Sequence, residues 1–231
     1  MAVSSVSSTS NYYTQAAAAG PVSIATALAA IKANARTKVT ISDTSDNLAR
    51  NLDALRKVAN NITQVTQSDP DTALQVSAPQ WAQLGTLLSK FSTNYQLQVS
   101  DVPAAKAATA ASSSHVASFT VLDSSANIAA QLANLQGQTK LQSIATSTPT
   151  TNITVPAGQL TTQAEALGKL TGNYGLAVTQ ATAEQAVGYA SNLRIKSVGV
   201  LDSAAGVSAR LDELKSLGLR LKEIRSNDTN V

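Results

Sequence analysis

The stretch Val39-Thr-Ile-Ser-Asp43-Thr-Ser-Asp-Asn47-Leu-Ala-Arg-Asn-Leu52-Asp-Ala-Leu55 decides the fold, because related stretches follow it twice. The second copy reads Thr120-Val-Leu-Asp123-Ser-Ser-Ala-Asn127-Ile-Ala-Ala-Gln-Leu132-Ala-Asn-Leu135. The third copy reads Gly199-Val-Leu-Asp202-Ser-Ala-Ala-Gly206-Val-Ser-Ala-Arg-Leu211-Asp-Glu-Leu214. The shared Asp recurs after 123 − 43 = 80 and 202 − 123 = 79 residues, and apolar residues follow it at plus 5, plus 9 and plus 12 in every copy. This constant spacing identifies a tandem repeat of about 80 residues, with a truncated third copy.

Each copy begins with a local pattern that predicts a strand followed by a helix. A short β-branched run ends at the shared Asp, and the apolar residues behind it keep the i, i+4, i+7 spacing of one helix face. Asp43, Asp123 and Asp202 are therefore predicted to be the N-caps of these helices, accepting hydrogen bonds from first-turn amides. A calcium site is the alternative, because Asp43, Asp46 and Asn47 cluster, but the second and third copies lack the second Asp.

The first two copies remain similar beyond this helix, and each is predicted to continue with a second strand, a third strand, a second helix and a closing strand. The closing strands are Asn94-Tyr-Gln-Leu-Gln-Val99 and Asn173-Tyr-Gly-Leu-Ala-Val178, which alternate as half-buried strands do. The order strand, helix, strand, strand, helix, strand predicts an α+β fold of tandem ferredoxin-like, split βαβ repeats that ends in half a repeat. Alanine-rich stretches between the repeats are predicted to be connecting helices.

This organisation divides the chain into four segments. An N-terminal tail, which could exchange between chains, is predicted over 1–22. A connecting helix with the first repeat occupies 23–102, and a second connecting helix with the second repeat occupies 103–180. A third connecting helix with the truncated repeat completes the chain over 181–231.

Composition argues against most kinds of chemistry. The chain has 231 residues, no Cys, one His and a net charge of +3, so disulfides and cysteine nucleophiles are excluded. His115 has no fixed acidic neighbour, and no metal-ligand spacing or glycine-rich phosphate loop is present, which predicts neither an enzyme nor a resident cofactor or metal. Basic residues do not interleave with aromatic ones, which predicts no nucleic-acid binding.

Targeting features are equally sparse. The first residues have neither a basic segment nor a continuous apolar one, so no cleaved export signal is expected. No run of the sequence approaches the roughly 18 apolar residues of a membrane span, so no membrane insertion is expected.

The pattern Asp-Ser/Thr-x-x-Asn-Leu/Ile-Ala-x-x-Leu-x-x-Leu, with the later Tyr-x-Leu-x-Val, resembles the Ala-rich repeats of large bacterial secreted repeat proteins. These are surface and matrix proteins of the adhesin and RTX kind, often exported without a cleaved N-terminal signal. The resemblance covers roughly 39–178 and 198–225 and implies an extracellular or cell-surface scaffold. The Gly-Gly-x-Gly-x-Asp calcium repeats of RTX proteins are missing, which weakens the expectation of bound calcium.

Two functional hypotheses follow. The first is a structural subunit of an extracellular filament, biofilm matrix or surface layer that assembles head to tail, because a half repeat leaves a strand edge and an apolar face to be covered. The alternative is a monomeric secreted module that recognises a glycan or a protein. The assembly interface of the first hypothesis comprises apolar and aromatic residues of both ends of the chain: Val3, Val6, Tyr12, Tyr13, Val207, Leu211, Leu214, Leu221 and Ile224.

Overall fold

A computed structural model describes residues 20–92 and 94–228. The chain forms two compact units, Met1–Val99 and Ser100–Val231. The described residues form ten strands and eleven α-helices. In chain order the elements are α1 Ile24–Ala33, β1 Val39–Asp43, α2 Ser45–Lys57, β2 Ile62–Gln67, β3 Leu74–Ser77, α3 Ala78–Trp81, α4 Gly85–Leu88, β4 Leu97–Val102, α5 Ala107–Ser112, β5 Val116–Asp123, α6 Ser125–Leu135, β6 Leu141–Thr146, β7 Ile153–Pro156, α7 Ala157–Thr162, α8 Ala164–Gly168, β8 Leu176–Ala181, α9 Ala183–Gly188, β9 Ile195–Asp202, α10 Ala204–Ala209, α11 Leu211–Ser216 and β10 Leu221–Ser226. Short 3-10 turns occupy Ala59–Asn61, Ala104–Lys106, Tyr189–Ser191 and Gly218–Arg220.

The first unit is built on a parallel strand pair that α2 connects. β1 pairs with β2, with Ile41 opposite Val65. A single residue extends this pair on each side: Val22 forms a parallel bridge to Ile41, and Phe91 forms a parallel bridge to Val65. At the start of β3, the N–H of Leu74 donates to the carbonyl of Gln96, just before β4, at 2.7 Å. The apolar stripe of α2 is fully buried and supplies the core of this unit together with the inner residues of the strands.

The second unit contains parallel strands in chain order. The N–H of Asp101, in β4, donates to the hydroxyl oxygen of Thr120, in β5, at 3.3 Å, and β5 pairs in parallel with β6. A separate four-stranded sheet follows, in the order β7-β8-β9-β10, and all three of its pairs are parallel. Every connection inside this sheet carries helix: α7 and α8 lie between β7 and β8, α9 between β8 and β9, and α10 and α11 between β9 and β10.

The presence of both helices and strands agrees with the predicted class, but the ferredoxin-like arrangement is not confirmed. The sheets are parallel, and the sheet boundary falls between β6 and β7, inside the second repeat. The closing strand of that repeat, β8, pairs with the first strand of the next one, β9. The β6 to β7 loop at 147–152 is too short for a parallel crossover, and these strands do not form the antiparallel hairpin of the predicted fold either, because β7 pairs with β8 in the next sheet. The segment 182–194, predicted to connect two separate sheets, is long enough and serves as a crossover within one sheet.

The helix caps lie one residue after the predicted positions. Thr44, Ser124 and Ser203 are the N-caps, each accepting a hydrogen bond at its hydroxyl from the backbone N–H three residues on. The shared Asp residues are instead the last residues of β1, β5 and β9. Both residue types cap helices well, so the sequence alone could not choose between neighbours. Because the strand extends through the Asp, the Thr or Ser that follows it takes the N-cap position.

The carboxylates of the shared Asp residues join two helices. One oxygen of Asp123 accepts the backbone N–H of Ala104, at the start of the preceding crossover, at 2.9 Å. The other oxygen accepts the N–H of Ser124 at 2.8 Å and the Nδ2 of Asn127 at 2.7 Å. We call this arrangement the Asp clasp. It recurs at Asp43 with Ile24, Thr44 and Asn47, and at Asp202 with Ala183 and Ser203.

The calcium alternative receives no support from the placement of its residues. The oxygens of Asp43 accept hydrogen bonds within its clasp, and Asp46 lies 2.8 Å from Arg50 in an exposed ion pair. Among residues 20–92 and 94–228, no three His, Cys, Asp or Glu side chains are grouped so that they could hold a metal ion. Within the same ranges, no helix has the length and apolar character needed to cross a bilayer.

Candidate assembly edge of the third repeat

The helices of the third repeat, α10 and α11, leave exposed part of an apolar stripe that is buried in the second repeat. In α6, Leu132 and Leu135 are almost completely buried, and the helix packs against β7. At the equivalent positions of the third repeat, Leu214 is buried but Leu211 is 49% exposed. The described residues contain no counterpart of β7 after β10, so the side of the helix that β7 covers in the second repeat faces solvent.

The last strand shows the same contrast in its backbone. In β6, the N–H of Ile144 donates to the carbonyl of Lys169 at 2.8 Å, and its carbonyl accepts the N–H of Thr171 at 2.8 Å. Val65 of β2 is bridged in the same way, to Lys90 and Ser92. The equivalent residue in β10 is Ile224, which is 41% exposed, and β10 is the outermost strand of its sheet.

Charged residues distinguish β10 from its counterpart. β6 reads Leu141-Gln-Ser-Ile-Ala-Thr146 without a charge, whereas β10 reads Leu221-Lys-Glu-Ile-Arg-Ser226. Arg225 and Glu223 form an ion pair of 2.9 Å between exposed side chains. Charges on an outermost strand commonly protect it from indiscriminate pairing with other chains. The β10 edge is therefore apolar at Ile224 and charged at the neighbouring positions.

Hydrogen bonds hold β10 in place at both ends. At its start, the Arg220 guanidinium donates to the carbonyls of Tyr189, Ala190 and Asn192 at distances between 2.6 and 3.1 Å. Beyond its end, Asp228 accepts the N–H of Ala204 at 2.7 Å. This bond, followed by one from the Ser226 hydroxyl, keeps the pKa of the Asp228 carboxyl below its ordinary value. The edge is therefore anchored to the helices rather than frayed.

The residues predicted from sequence to form the assembly interface are placed unequally. Leu211 and Ile224 are exposed at this edge, and Val207 and Leu221 are half-buried there. Leu214 is fully buried within the chain and is not available to a partner, which corrects its assignment to the interface. The remaining four predicted residues lie outside the described ranges: Val3, Val6, Tyr12 and Tyr13.

Sequence reasoning missed two features of this surface. Leu219 is 92% exposed in the turn before β10, where the preceding Gly218 has a φ of 55°. Gly followed by a single apolar residue between two elements is a turn signal, and it could have indicated that Leu219 lies outside the core. The charges of β10 are evident in the sequence, but their role at a strand edge depends on β10 being the outermost strand of its sheet.

Comparison of the chain with protein families, with curated proteins and with solved structures finds no match.

Proposed function

We propose that this protein is a structural subunit of an extracellular filament, biofilm matrix or surface layer, and that the β10 edge binds a second copy. The carrying observation is the exposure of Ile224 and Leu211, whose counterparts Ile144 and Leu132 are covered in the second repeat. Apolar side chains beside an open backbone edge favour the addition of a strand from another chain. The proposal assigns the protein no enzymatic role and no cofactor.

The two complete repeats suggest what kind of segment fits this edge. The covering segments read Lys90-Phe-Ser-Thr-Asn94-Tyr95 and Lys169-Leu-Thr-Gly-Asn173-Tyr174, each pairing a single apolar residue with the strand. The N-terminal stretch Asn11-Tyr-Tyr-Thr14 contains the same Asn-Tyr pair. The proposal therefore assigns the N-terminal segment of a second copy, with Tyr12 and Tyr13, to the β10 edge of the first.

A contact between different surfaces of identical chains continues from copy to copy, because each bound copy still presents its own free edge. Unless the rotation between copies closes a ring, the product is a fibre. The resemblance to secreted repeat proteins supports an extracellular or cell-surface location, reached without a cleaved N-terminal signal.

The test compares two substitutions of similarly exposed residues. Ile224→Lys places a charge on the β10 edge, and Leu122→Lys places the same charge on β5, where Leu122 is 39% exposed. Sedimentation velocity and negative-stain microscopy of the purified proteins are expected to show fibres for the wild type and for Leu122→Lys, and single chains for Ile224→Lys. Fibres of equal length and number in all three proteins would refute the proposed role of the edge.

A monomeric adhesion or binding module, recognising a cell-surface glycan or protein, is the second candidate. The charges of β10 favour it, because they protect this strand edge from pairing with another chain, whereas the equivalent strand β6 carries no charge. Lys222→Gln, Glu223→Ser and Arg225→Ala together give β10 the residues of β6. If the wild type sediments as one small species and only the triple variant associates, the charges keep the protein monomeric and the module is the better description.

A further inference from the structure

An apolar groove at the beginning of β8 and β9 belongs to neither functional hypothesis. It encloses about 410 Å³ and is open to solvent on one side. Leu167, Leu170 and Ile195 contribute to its apolar wall. A concave, mainly apolar surface with a few polar groups at its border is the usual form of a small-molecule site.

The first unit shows what fills the corresponding position there. Phe91 and Tyr95 pack edge to face with ring centroids 5.1 Å apart. In the second unit Leu170 has the place of Phe91, since both bridge to the equivalent strand residue, and Tyr174 has the place of Tyr95. A leucine is shorter than a phenylalanine ring and is not planar, so the substitution leaves room for a flat ring beside Tyr174.

The border of the groove is positively charged. The guanidinium carbon of Arg194 lies 4.4 Å from the ring centroid of Tyr174, and its Nη1 donates to the carbonyl of Gly172 at 3.2 Å. Arg194 is in none of the ion pairs between described residues. Arg220 bonds the carbonyls of Tyr189 and Asn192, which line the groove, but is not itself part of the lining. An anionic group would complement this charge.

We propose that the groove binds a small aromatic carboxylate, with its ring between Leu170 and Tyr174 and its carboxylate at the Arg194 guanidinium. The ring takes the space that Leu170 leaves open because its side chain is smaller than that of Phe91 in the first unit. The guanidinium retains donors for the carboxylate while it stacks on Tyr174. This site is separate from the β10 edge and does not depend on the proposed assembly.

The test uses phenylacetate as the probe, with cyclohexylacetate and phenylacetamide as analogues that lack the flat ring and the charge. Backbone amide NMR shifts are recorded during titration of the whole chain. We expect saturable shifts at Gly172, Tyr174 and Ile195 with a dissociation constant on the order of 1 mM for phenylacetate. Both analogues are expected to bind about tenfold more weakly, the loss typical of one charged hydrogen bond or one ring contact. The absence of saturable shifts, or equal binding of all three probes, would overturn the proposal.

Two variants separate the ring position from the charge. Leu170→Phe fills the slot with the residue that the first unit tolerates, and phenylacetate binding should fall at least about tenfold. Arg194→Gln should weaken phenylacetate to the level of phenylacetamide while leaving phenylacetamide itself unchanged. Arg210→Gln, at another exposed arginine, is the matched control and should bind as the wild type does. Unchanged phenylacetate binding in Leu170→Phe or in Arg194→Gln would place the ligand elsewhere and refute the assignment.

Discussion

The second and third repeats share a sequence pattern but differ in which side chains are buried. Leu132 and Leu211 stand at the same position after the shared Asp, yet one is almost completely buried and the other is 49% exposed. The segments after β6, including β7 and the bridge at Leu170, cover the second repeat, and the described residues contain no such segments after β10. The comparison teaches that the first half of a repeat depends on the second half of the same repeat to cover its apolar stripe.

The largest effect should come from truncating the equivalent leucines. Leu132→Ala leaves a cavity in a filled core and should lower the free energy of unfolding by about 2–5 kcal/mol. Leu211→Ala removes mostly exposed surface and should cost no more than about 0.5 kcal/mol. Urea unfolding followed by circular dichroism gives both values. Equal losses would show that something in solution buries Leu211.

The next effect concerns the Asp clasp. Asp123→Ala leaves the amides of Ala104 and Ser124 and the side chain of Asn127 without their acceptor, which should cost about 1–3 kcal/mol. Asp202→Ala should cost less, because Gly206 stands where Asn127 would donate. A larger loss at Asp202 in the same urea experiment would contradict the assigned bonds.

The clasp also predicts an acid dependence. Burial raises the pKa of the Asp123 carboxyl, but the hydrogen bonds from Asn127, Ala104 and Ser124 outweigh it, and the net pKa lies below the ordinary value of 3.8. The charged form therefore stabilises the folded state, fully so above the pKa of the unfolded chain, and this contribution is lost as the pH falls through the lower folded pKa. Unfolding midpoints of the wild type should decrease from pH 5 to pH 2, and Asp123→Asn should show a shallower decrease. Parallel curves would exclude Asp123 as a source of the acid sensitivity.

The smallest effect should come from exchanging the residues that differ between the two clasps. Gly206→Asn replaces a helical glycine and should stabilise the third repeat by about 0.5–1 kcal/mol. A Cβ at this position would lie 2.7 Å from an oxygen and 2.8 Å from the Cγ of Asp202, so the whole Asp202 side chain must shift away. Asn127→Gly should have the opposite sign. Destabilisation by Gly206→Asn in thermal unfolding would mean that the carboxylate cannot move.

The sequence predicted the features that depend on local pattern. The repeat is explicit in the sequence, and the positions of Leu48, Leu52 and Leu55 on one buried face of α2 are confirmed. The cap was misplaced by one residue because Asp43 and Thr44 are both good caps, and the strand end decides between them. The four-segment division of the chain stays a prediction.

Strand pairing and the exposure of the last repeat depend on distant parts of the chain. The element order is compatible with several sheet arrangements, and the pairing of β7 with β8 rather than with β6 depends on contacts between distant residues. Leu211 and Leu214 have the same apolar character in the sequence, but Leu214 is fully buried whereas Leu211 is 49% exposed, and this difference depends on what the rest of the fold places around α11. The space for a ring beside Leu170 is recognised only by comparison with Phe91, so the structure around both side chains must be known.

The carboxylate of Asp123 has a consequence for how the second unit loses its structure. It accepts hydrogen bonds from the crossover before β5 and from the helix after it, so opening either one removes a partner from the other. Asp202 joins α9 and α10 in the same manner. The two crossovers that flank β5 are thereby thermodynamically coupled, and so are the two that flank β9. A local fluctuation at one crossover of such a pair should spread to the other.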